Sequence, residues 1–381
     1  MLGTLHTVCR CFAAALLLLD TAVADEQLGK AIDRLVERQG ITDDGPGVAI
    51  LVYQPGKINF RKGYGLADTK SKTPITPRTL FELASVTKPF TATAILMLQD
   101  RGSLTIEDDV RAYLPELPEY RSGPIRIRQL LQHTSGLPEY FDMDGVAARH
   151  RTYWVNEDYI GEFARQRSDY PLEFAVGQQY EYCNSNYLLA GTIVARVSKK
   201  SYGTFLRNEI FLPCGMKHSF VYESPTSAPM PPPAGYNRAI GYERGKQQSW
   251  KAAWGAPPAR NEDSLTVGDG GIWTNLEDMA AWDSAQRSGR LLLPATNARS
   301  QQRSRTADGK QNDYGLGWEL YFDGGKLIGY GHNGSWGGFR TSYYRYLTAD
   351  RSTVILSNRG DFDADDFWYP LNDLIEEHLE E

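Results

Sequence analysis

The segment FELASVTKPFTATAILML, residues 81–98, determines how the rest of the chain is interpreted. Ser85 and Lys88 form an S-x-x-K motif before an apolar helical pattern that Gly102 ends. Side chains at i and i+3 share one face of a helix, so the Lys88 amine can reach the Ser85 hydroxyl. Pro89 lacks an N–H and is tolerated near a helix start, which places Ser85 at the N-terminal end. The segment therefore predicts a serine nucleophile with its base on a buried helix.

The overall composition is that of a folded globular protein without a basic surface. The chain has 381 residues, of which 41% are hydrophobic and 23% charged, and its formal net charge is −6. No run of Lys and Arg indicates nucleic-acid binding. No metal-ligand spacing such as H-x-x-x-H occurs, and we expect neither a metal nor an organic cofactor.

Residues 1–24 are predicted to be a secretory signal peptide. Arg10 precedes an apolar run over residues 12–19, and Ala22-Val23-Ala24 is typical of a cleavage site. The apolar run is too short to cross a bilayer, and no later segment is apolar enough to do so. We therefore expect an exported mature chain, periplasmic or secreted, that has no membrane span and begins near Asp25.

Two cysteines, Cys183 and Cys214, remain in the predicted mature chain. They could pair in an oxidising compartment, but we expect two free, buried thiols. Catalysis by Cys183 is an alternative, although no nearby cation or helix start is evident that would lower its pKa.

The two ends of the chain have the same character, a helix beside short apolar strands. Strands are predicted over residues 47–53, 57–65, 314–321, 326–331, 339–346 and 352–358. The simplest fold is α+β, with an antiparallel sheet built from residues 25–89 and 284–381 and flanked by the terminal helices. Residues 90–283 are predicted to form an inserted, mainly helical domain.

Further polar segments are candidates for a site. In LLQHTSGLP, residues 130–138, His133 is expected to fix a loop, with a catalytic base as the alternative. Residues 177–187 are dense in hydroxyls and amides, and residues 331–338 contain four glycines that leave the backbone bare for a ligand. The Pro-rich stretch over residues 225–233 is expected to be an ordered loop that lines a cleft.

The order of motifs, S-x-x-K, then Y-x-N, then H-x-G in a Gly-rich strand, resembles a known family. This family is the serine hydrolases of the class C β-lactamase and penicillin-binding-protein type, which includes secreted esterases and D-amino-acid peptidases. The resemblance extends from about Gly47 to Asn358 and also covers residues 130–138 and 268–282. It implies the β-lactamase/transpeptidase fold and an acyl-enzyme mechanism.

The resemblance implies roles for four residues around the first two motifs. Ser85 would attack the acyl carbon, and Tyr182, favoured as a phenolate beside a cation, would share proton transfer with Lys88. The alternative for Tyr182 is a core aromatic residue. Asn184 would hold Lys88 and bind a substrate oxygen, with a helix N-cap as the alternative.

The third motif would form the opposite edge of the cleft. By the same resemblance, His332 and Gly334 would lie on a strand at this edge, and the N–H groups of Ser335 and Ser85 would form an oxyanion hole. A nucleophilic elbow at Ser335 is the alternative, but its surroundings lack the first glycine of G-x-S-x-G.

One departure from the family pattern bears on the substrate. His332 stands where β-lactamases and transpeptidases typically carry the Lys of K-T-G, and an unperturbed histidine is largely neutral at pH 7. We therefore expect an exported serine hydrolase acting on carboxylic esters or short D-amino-acid peptides and amides. A β-lactamase or D,D-carboxypeptidase acting on a lactam or peptide, and a non-catalytic cell-wall-binding protein, are the alternatives.

Overall fold

The computed structural model describes residues 26–143, 154–165, 172–224, 235–245, 249–253 and 265–379. The predicted signal peptide and the Pro-rich stretch over residues 225–233 lie outside these ranges. Within them, no helix combines the length and the apolar character that crossing a membrane requires.

Long strands occur near the two ends of the chain, and helices dominate the middle. The helices are α1 (Glu26–Arg38), α2 (Lys88–Asp100), α3 (Ile127–Leu131), α4 (Asn156–Arg165), α5 (Asn184–Ser198), α6 (Tyr202–Leu206), α7 (Leu212–Cys214), α8 (Leu276–Arg287), α9 (Pro294–Ser300) and α10 (Ala364–Leu379). A π-helical turn spans Arg207–Phe211, and 3-10 turns span Ala84–Thr87, Val110–Ala112 and Tyr140–Asp142. The strands are β1 (Val48–Gln54), β2 (Lys57–Tyr64), β3 (Leu66–Asp68), β4 (Thr73–Pro74), β5 (Phe81–Glu82), β6 (Phe220–Val221), β7 (Tyr242–Arg244), β8 (Trp250–Ala252), β9 (Ile272–Thr274), β10 (Ser304–Arg305), β11 (Gln311–Asn312), β12 (Glu319–Asp323), β13 (Lys326–Trp336), β14 (Phe339–Tyr346) and β15 (Arg351–Ser357).

A six-stranded antiparallel sheet joins the two ends of the chain. Its strand order is β12-β13-β14-β15-β1-β2, and Val48 of β1 lies opposite Ser357 of β15. The helical region separates these two strands in sequence but not in space. The α+β architecture predicted from the sequence is therefore confirmed, whereas the boundaries at residues 90 and 283 stay a prediction.

The sheet is covered on both faces, which explains the almost continuous apolar sequence of β1. Alternate residues of a strand point to opposite faces. Ala49 and Leu51 join the large core shared with the helical region, whereas Val48, Ile50 and Val52 join a second core with α1 and α10. A strand with one solvated face would instead alternate apolar and polar residues.

Two strands differ from their predicted extents. Residues 314–318 form a loop, with Gly317 at φ +84°, and the strand begins only at Glu319. Strand β13, expected to end at Gly331, continues to Trp336, because His332–Trp336 pair with β14 before the chain reverses at Gly337 and Gly338. The third motif therefore lies within a strand.

Helix α2 is buried along nearly its whole length and carries the first motif. Every residue from Lys88 to Leu98 is buried. Phe90 stacks on Trp282 of α8, with ring centroids 3.9 Å apart. Packing on all sides fixes the start of α2, and with it the position of Lys88.

Candidate active site

Ser85 and Lys88 meet where a 3-10 turn becomes α2. Ser85 lies in the turn Ala84–Thr87, and Lys88 is the first residue of the helix. Lys88 Nζ donates to Ser85 Oγ over 2.9 Å. Ala84 has a φ of +48°, a left-handed conformation that strains an L-residue and that clusters at functional turns. The structure therefore brings the predicted nucleophile and base together.

The Lys88 amine is buried among polar partners. Besides Ser85, it donates to Asn184 Oδ1 over 2.7 Å and to the Asp269 carbonyl over 3.1 Å. Burial lowers the pKa of Lys88 to about 8, against the opposing influence of the Asp269 and Glu139 carboxylates. Its neutral form, which can accept a proton from Ser85, is therefore accessible near neutral pH.

Tyr182 lies beside this pair but is not prepared to be a phenolate. Its ring centroid is 4.8 Å from Lys88 Nζ, and its side chain is hydrogen-bonded to Ser85. Although 38% of the residue surface is exposed, its hydroxyl lies in the interior, and that burial raises the pKa well above the ordinary value. The phenolate expected from the sequence is therefore wrong: desolvation outweighs the hydrogen bond with Ser85, which lowers the pKa, and the Glu319 charge raises it further.

Asn184 is oriented by Glu139, which the sequence analysis missed. Asn184 is the first residue of α5, and the preceding Cys183 takes the N-cap position, so the N-cap alternative for Asn184 does not hold. The backbone N–H and side-chain amide of Asn184 donate to Glu139 Oε2 over 2.8 and 3.1 Å. This contact directs the amide oxygen towards Lys88. Glu139 directly follows residues 130–138, the only sequence signal that could have indicated it.

His133 and Cys183 hold the loop in front of α5. His133 is buried, and its Nδ1 accepts from the Cys183 backbone N–H over 3.1 Å. Burial lowers the pKa of His133 well below its ordinary value, so the ring is neutral and fixes the loop, as expected.

Both Cys183 and Cys214 are free and buried, and burial raises the pKa of Cys183 to about 12. A thiol with that pKa is a poor nucleophile.

His332 points into the protein interior and not into the cleft. Its Nδ1 donates to the Asn333 carbonyl over 2.6 Å, which leaves Nε2 to accept from the Tyr314 hydroxyl over 2.9 Å. Burial, and secondarily the nearby Lys88 charge, lowers the pKa of His332 to about 3. The strand therefore presents no positive side chain at this position.

Gly334 lets β13 approach the Ser85 turn. A Cβ added at Gly334 would lie 2.4 Å from the Leu83 carbonyl oxygen and 3.1 Å from the Ser85 nitrogen. Thr341 on β14 donates to the same Leu83 carbonyl over 2.7 Å. This close approach places Ser335 at the cleft opposite Ser85. Lys88 bonds to Ser85, so the base is aligned with Ser85 and the alternative nucleophile Ser335 is not favoured.

The cleft in front of Ser85 contains about 380 Å³ of empty space, open solvent at its mouth included, and is lined in part by acidic and aromatic residues. The rings of Phe141 and Trp336, both lining residues, stack with centroids 5.2 Å apart, and Glu82 and Asp269 are the two acidic residues of the lining. Among the described residues, no group of three or more His, Cys, Asp or Glu side chains is arranged to hold a metal ion. The arrangement is suited to covalent chemistry by a serine.

Comparison with known families agrees with this geometry. The family model described as Beta-lactamase matches residues 32–375. The chain belongs to the beta-lactamase family. As a member of this family, whose relatives include a D-aminopeptidase, it is a serine hydrolase.

Similar proteins differ in name and in length. This beta-lactamase-family chain is 31% identical to Penicillin-binding protein 4* of Bacillus subtilis, covering 81% of this chain and 67% of the relative. It is 30% identical to a D-aminopeptidase of Gluconobacter oxydans, covering 82% of this chain and 55% of the relative. The chain thus spans little more than half of that D-aminopeptidase, and 47% of protein flp of Staphylococcus aureus. The D-amino acid amidase from Ochrobactrum anthropi SV3, solved with D-phenylalanine, shares the fold, with a TM-score of 0.71, 23% identity and coverage of 92% of this chain and 99% of the amidase.

Proposed function

We propose that this chain is an exported serine hydrolase that cleaves carboxylic esters or short D-amino-acid peptides and amides through an acyl-enzyme on Ser85. The observation that carries the proposal is the buried Lys88 amine, 2.9 Å from Ser85 Oγ and with a pKa of about 8. A base with a pKa near the working pH combines a useful neutral fraction with enough basicity to accept a proton.

Acylation begins when neutral Lys88 takes the Ser85 proton. The Ser85 Oγ–C bond forms at the acyl carbon, and negative charge collects on the acyl oxygen. The backbone N–H groups of Ser85 and Ser335 would stabilise this charge, and loss of one such donor typically costs about 3 kcal/mol. The leaving nitrogen or oxygen then departs with a proton from Tyr182, which regains one from Lys88.

Deacylation repeats these steps with water as the nucleophile. The water gives a proton to the same lysine and tyrosine pair, its oxygen bonds to the acyl carbon, and the Ser85 Oγ–C bond breaks. Ser85 recovers its proton, and the carboxylic acid leaves. Asn184 serves both halves of the cycle, because its amide oxygen holds Lys88 Nζ at 2.7 Å.

The choice of ester or amide over lactam rests on the strand side of the cleft. A neutral His332 with a pKa of about 3 offers no counter-ion for the carboxylate of a β-lactam. The names of two relatives, a D-aminopeptidase and a D-amino acid amidase, favour D-amino-acid derivatives. Export is proposed from the signal-peptide pattern of residues 1–24.

The test is intact-mass spectrometry of the mature protein after reaction with a fluorophosphonate, beside Ser85→Ala. We expect one adduct on the wild type and none on Ser85→Ala. Release of p-nitroaniline from D-alanine p-nitroanilide, absent in Ser85→Ala, would support the amidase activity. A wild type that forms no adduct and releases no product would contradict the proposal and favour a cell-wall-binding protein without catalysis.

Penicillin reactivity is the second candidate, favoured by the similarity to Penicillin-binding protein 4*. A fluorescent penicillin, incubated with the same two proteins, separates it from the first. Stable labelling or turnover of the lactam at Ser85 would support a penicillin-binding protein or β-lactamase. Fluorophosphonate labelling without penicillin labelling would support the ester or amide hydrolase.

A further inference from the structure

Glu139 accepts hydrogen bonds from three N–H groups. Its Oε2 accepts from the backbone N–H and the side-chain amide of Asn184, over 2.8 and 3.1 Å, and its Oε1 accepts from the Tyr140 N–H over 3.1 Å. Burial raises the pKa of the carboxyl, and the bonds from Asn184 and the charge of Lys88 oppose this rise. Three donors and a nearby cation favour the ionised form, which can only accept hydrogen bonds. Asn184 therefore faces a carboxylate to which it can only donate.

The partners of the Asn184 amide decide which way it points. The oxygen and the NH2 group of an amide are similar in size, so shape alone does not select an orientation. In the structure, Nδ2 donates to Glu139 Oε2, and Oδ1 accepts from Lys88 Nζ over 2.7 Å. The reversed amide would place its oxygen against a carboxylate oxygen, two acceptors without a proton between them. Glu139 therefore excludes the reversed orientation.

The orientation of this amide matters most when Lys88 is neutral. A neutral amine has two N–H groups and one lone pair. The bonds to Asn184 Oδ1 and to the Asp269 carbonyl use both N–H groups, which leaves the lone pair for the Ser85 hydroxyl at 2.9 Å. A reversed amide would instead donate its own N–H to the lone pair, and the Ser85 proton would have no acceptor on Lys88. The orientation of the amide thus decides whether the lysine can act as a base.

The negative charge of Glu139 also acts on Lys88. Burial lowers the pKa of Lys88, and the carboxylates of Asp269, Glu139 and Glu319 oppose this effect. Further titratable groups near Lys88 are Tyr182, Tyr187, Cys183, His133 and His332, and those near Glu139 include Tyr140 and Cys183. Loss of the Glu139 charge should therefore make Lys88 a weaker base.

We propose that Glu139 is a positioning residue that holds the Asn184 amide with its oxygen towards Lys88. The neutral amine then keeps its lone pair for the Ser85 proton. This inference rests on the proposed function and adds to it a residue that acts through Asn184 and not on the substrate. In the acylation step, the Ser85 O–H bond breaks and an N–H bond forms on Lys88. The electron pair left on Ser85 Oγ forms the bond to the acyl carbon.

The first test is the pH profile of kcat/KM for Glu139→Gln, measured on an ester whose acyl group does not titrate. The glutamine has the same size, but it carries no charge, and its NH2 group can donate to a reversed Asn184 amide. The plateau at high pH should fall at least about tenfold, the lower range for losing a hydrogen bond to a charged group. The acid limb should move to lower pH, because the pKa of Lys88 falls without the carboxylate. A plateau loss without this shift would indicate a purely structural role and overturn the proposal.

Glu319→Gln is the matched control, since it also removes a charge that raises the pKa of Lys88. The Glu319 carboxylate accepts from the Tyr321 hydroxyl over 3.1 Å, whereas that of Glu139 accepts from Asn184. The acid limb should move in the same direction, but the plateau should stay within about threefold of the wild-type value. A plateau loss as large as that of Glu139→Gln would mean that charge alone is responsible, and it would overturn the positioning role.

An exchange of the two side-chain types tests the orientation directly. Asn184→Asp alone places a second carboxylate against Glu139 and should reduce kcat/KM strongly. When Glu139→Gln is added, the NH2 group of the new glutamine can donate to one oxygen of the new aspartate, and the other oxygen can accept from Lys88. The double variant should therefore be at least about tenfold more active than Asn184→Asp. A double variant that is no more active would overturn the proposal.

Thermal unfolding checks that each variant folds, because Glu139 also accepts from the first N–H of α5. The position of the acid limb does not depend on the concentration of folded enzyme, so it is a valid readout for a less stable variant. If Glu139→Gln does not fold, Glu139→Asp replaces it. The charge stays, the shorter side chain loses its reach to Asn184, and the plateau should fall without a shift of the limb. An unchanged plateau would overturn the proposal.

Failure of this inference and failure of the proposed function give different results. Fluorophosphonate labelling of Ser85, together with a Glu139→Gln profile identical to that of the wild type, would overturn the role of Glu139 and leave the hydrolase intact. Absence of labelling and of all turnover in the wild type would instead contradict the hydrolase itself.

Discussion

The two walls of the cleft contain titratable groups that are equally buried but differ in what burial does to them. The helix wall, formed by Lys88 and Asn184 at the starts of α2 and α5, contains a lysine whose pKa falls from 10.5 to about 8. The strand wall, residues 332–336 of β13, contains a histidine whose pKa falls from 6.5 to about 3. Desolvation is the main cause in both cases. Desolvation brings the pKa of the lysine into the range that suits a general base near neutral pH, and it takes the pKa of the histidine out of that range.

A buried position does not by itself select a catalytic group. The starting pKa of the side chain and its polar partners decide the result. On the helix wall, the protonated amine donates to Ser85 Oγ, Asn184 Oδ1 and the Asp269 carbonyl, and the neutral amine can keep the last two bonds while it accepts from Ser85. On the strand wall, the proposed contribution to chemistry is the Ser335 N–H next to Gly334, and His332 supplies packing and a hydrogen bond with Tyr314.

The largest effect is expected from Lys88→Met, which removes the base but fills its volume with an uncharged chain. Activity, as kcat/KM on D-alanine p-nitroanilide, should fall by about 10³ to 10⁴, the upper range for losing a general base. Thermal unfolding should remain cooperative, because the variant no longer buries an amine. A loss of less than about tenfold would mean that Lys88 is not the base.

The second largest effect tests the strand wall through Gly334→Ala. The new Cβ would lie 2.4 Å from the Leu83 carbonyl oxygen, so β13 must move away from the Ser85 turn. If this displaces one oxyanion donor, kcat should fall by about 10² to 10³. Gly29→Ala on α1 is the control, since its nearest contact is 3.9 Å away and activity should not change. Full activity of Gly334→Ala would refute the role given to this wall.

The pH dependence of kcat/KM should follow the protonation of Lys88 in the helix wall. Only the deprotonated amine can accept the Ser85 proton, so kcat/KM should rise with pH up to the Lys88 pKa of about 8. Between about pH 8 and pH 6 the loss should be about 50-fold, because about half of the amine is neutral at pH 8 and about 1% at pH 6. Stopped assays with an ester whose acyl group does not titrate provide the profile. An acid limb centred near pH 6.5 would point to a histidine base instead.

The smallest effect concerns stability on the strand wall. An unfolded histidine binds a proton near pH 6.5, whereas folded His332 does so only at about pH 3. The free energy of unfolding should therefore fall as the pH decreases below 6.5, with a slope approaching about 1.4 kcal/mol per pH unit for one such group. Urea unfolding of wild type and His332→Gln at about pH 7 and pH 5 measures this. The variant should lose less stability on acidification, and identical slopes would argue against a neutral buried His332.

The parts of the site that could be predicted are those that depend on short sequence spacing. Ser85 and Lys88 are three residues apart, so helix geometry alone predicts their contact. The paired ends of the chain were predictable from two sets of apolar strands. Residues 177–187 and 331–338 were candidate segments from their composition, but the roles of Tyr182, Asn184 and the strand motif came only from the resemblance to a family, because these residues are far from Ser85 in sequence.

What could not be predicted depends on burial and on distant contacts. Glu139 and Asp269 lie in loops, where no helical or strand periodicity in the sequence indicates which residues face the site. The phenolate assigned to Tyr182 was wrong because desolvation can be assessed only once the surrounding residues are in place. The residue pattern ended β13 too early, at Gly331, whereas the resemblance had placed His332 and Gly334 on a strand; Gly334 lets this strand lie against the Ser85 turn.

The pairing of β1 with β15 also has a consequence for how the chain is made. Gly47 donates to the Asn358 side chain across 311 residues of sequence, next to the β1–β15 ladder. A ribosome releases β1 long before its partner exists, and the unpaired, apolar strand is a target for aggregation during that interval. Contacts this far apart also slow folding. The central sheet can close only after nearly the whole polypeptide has been synthesised, so a holding chaperone should matter more for this hydrolase than for a protein whose neighbouring strands are adjacent in sequence.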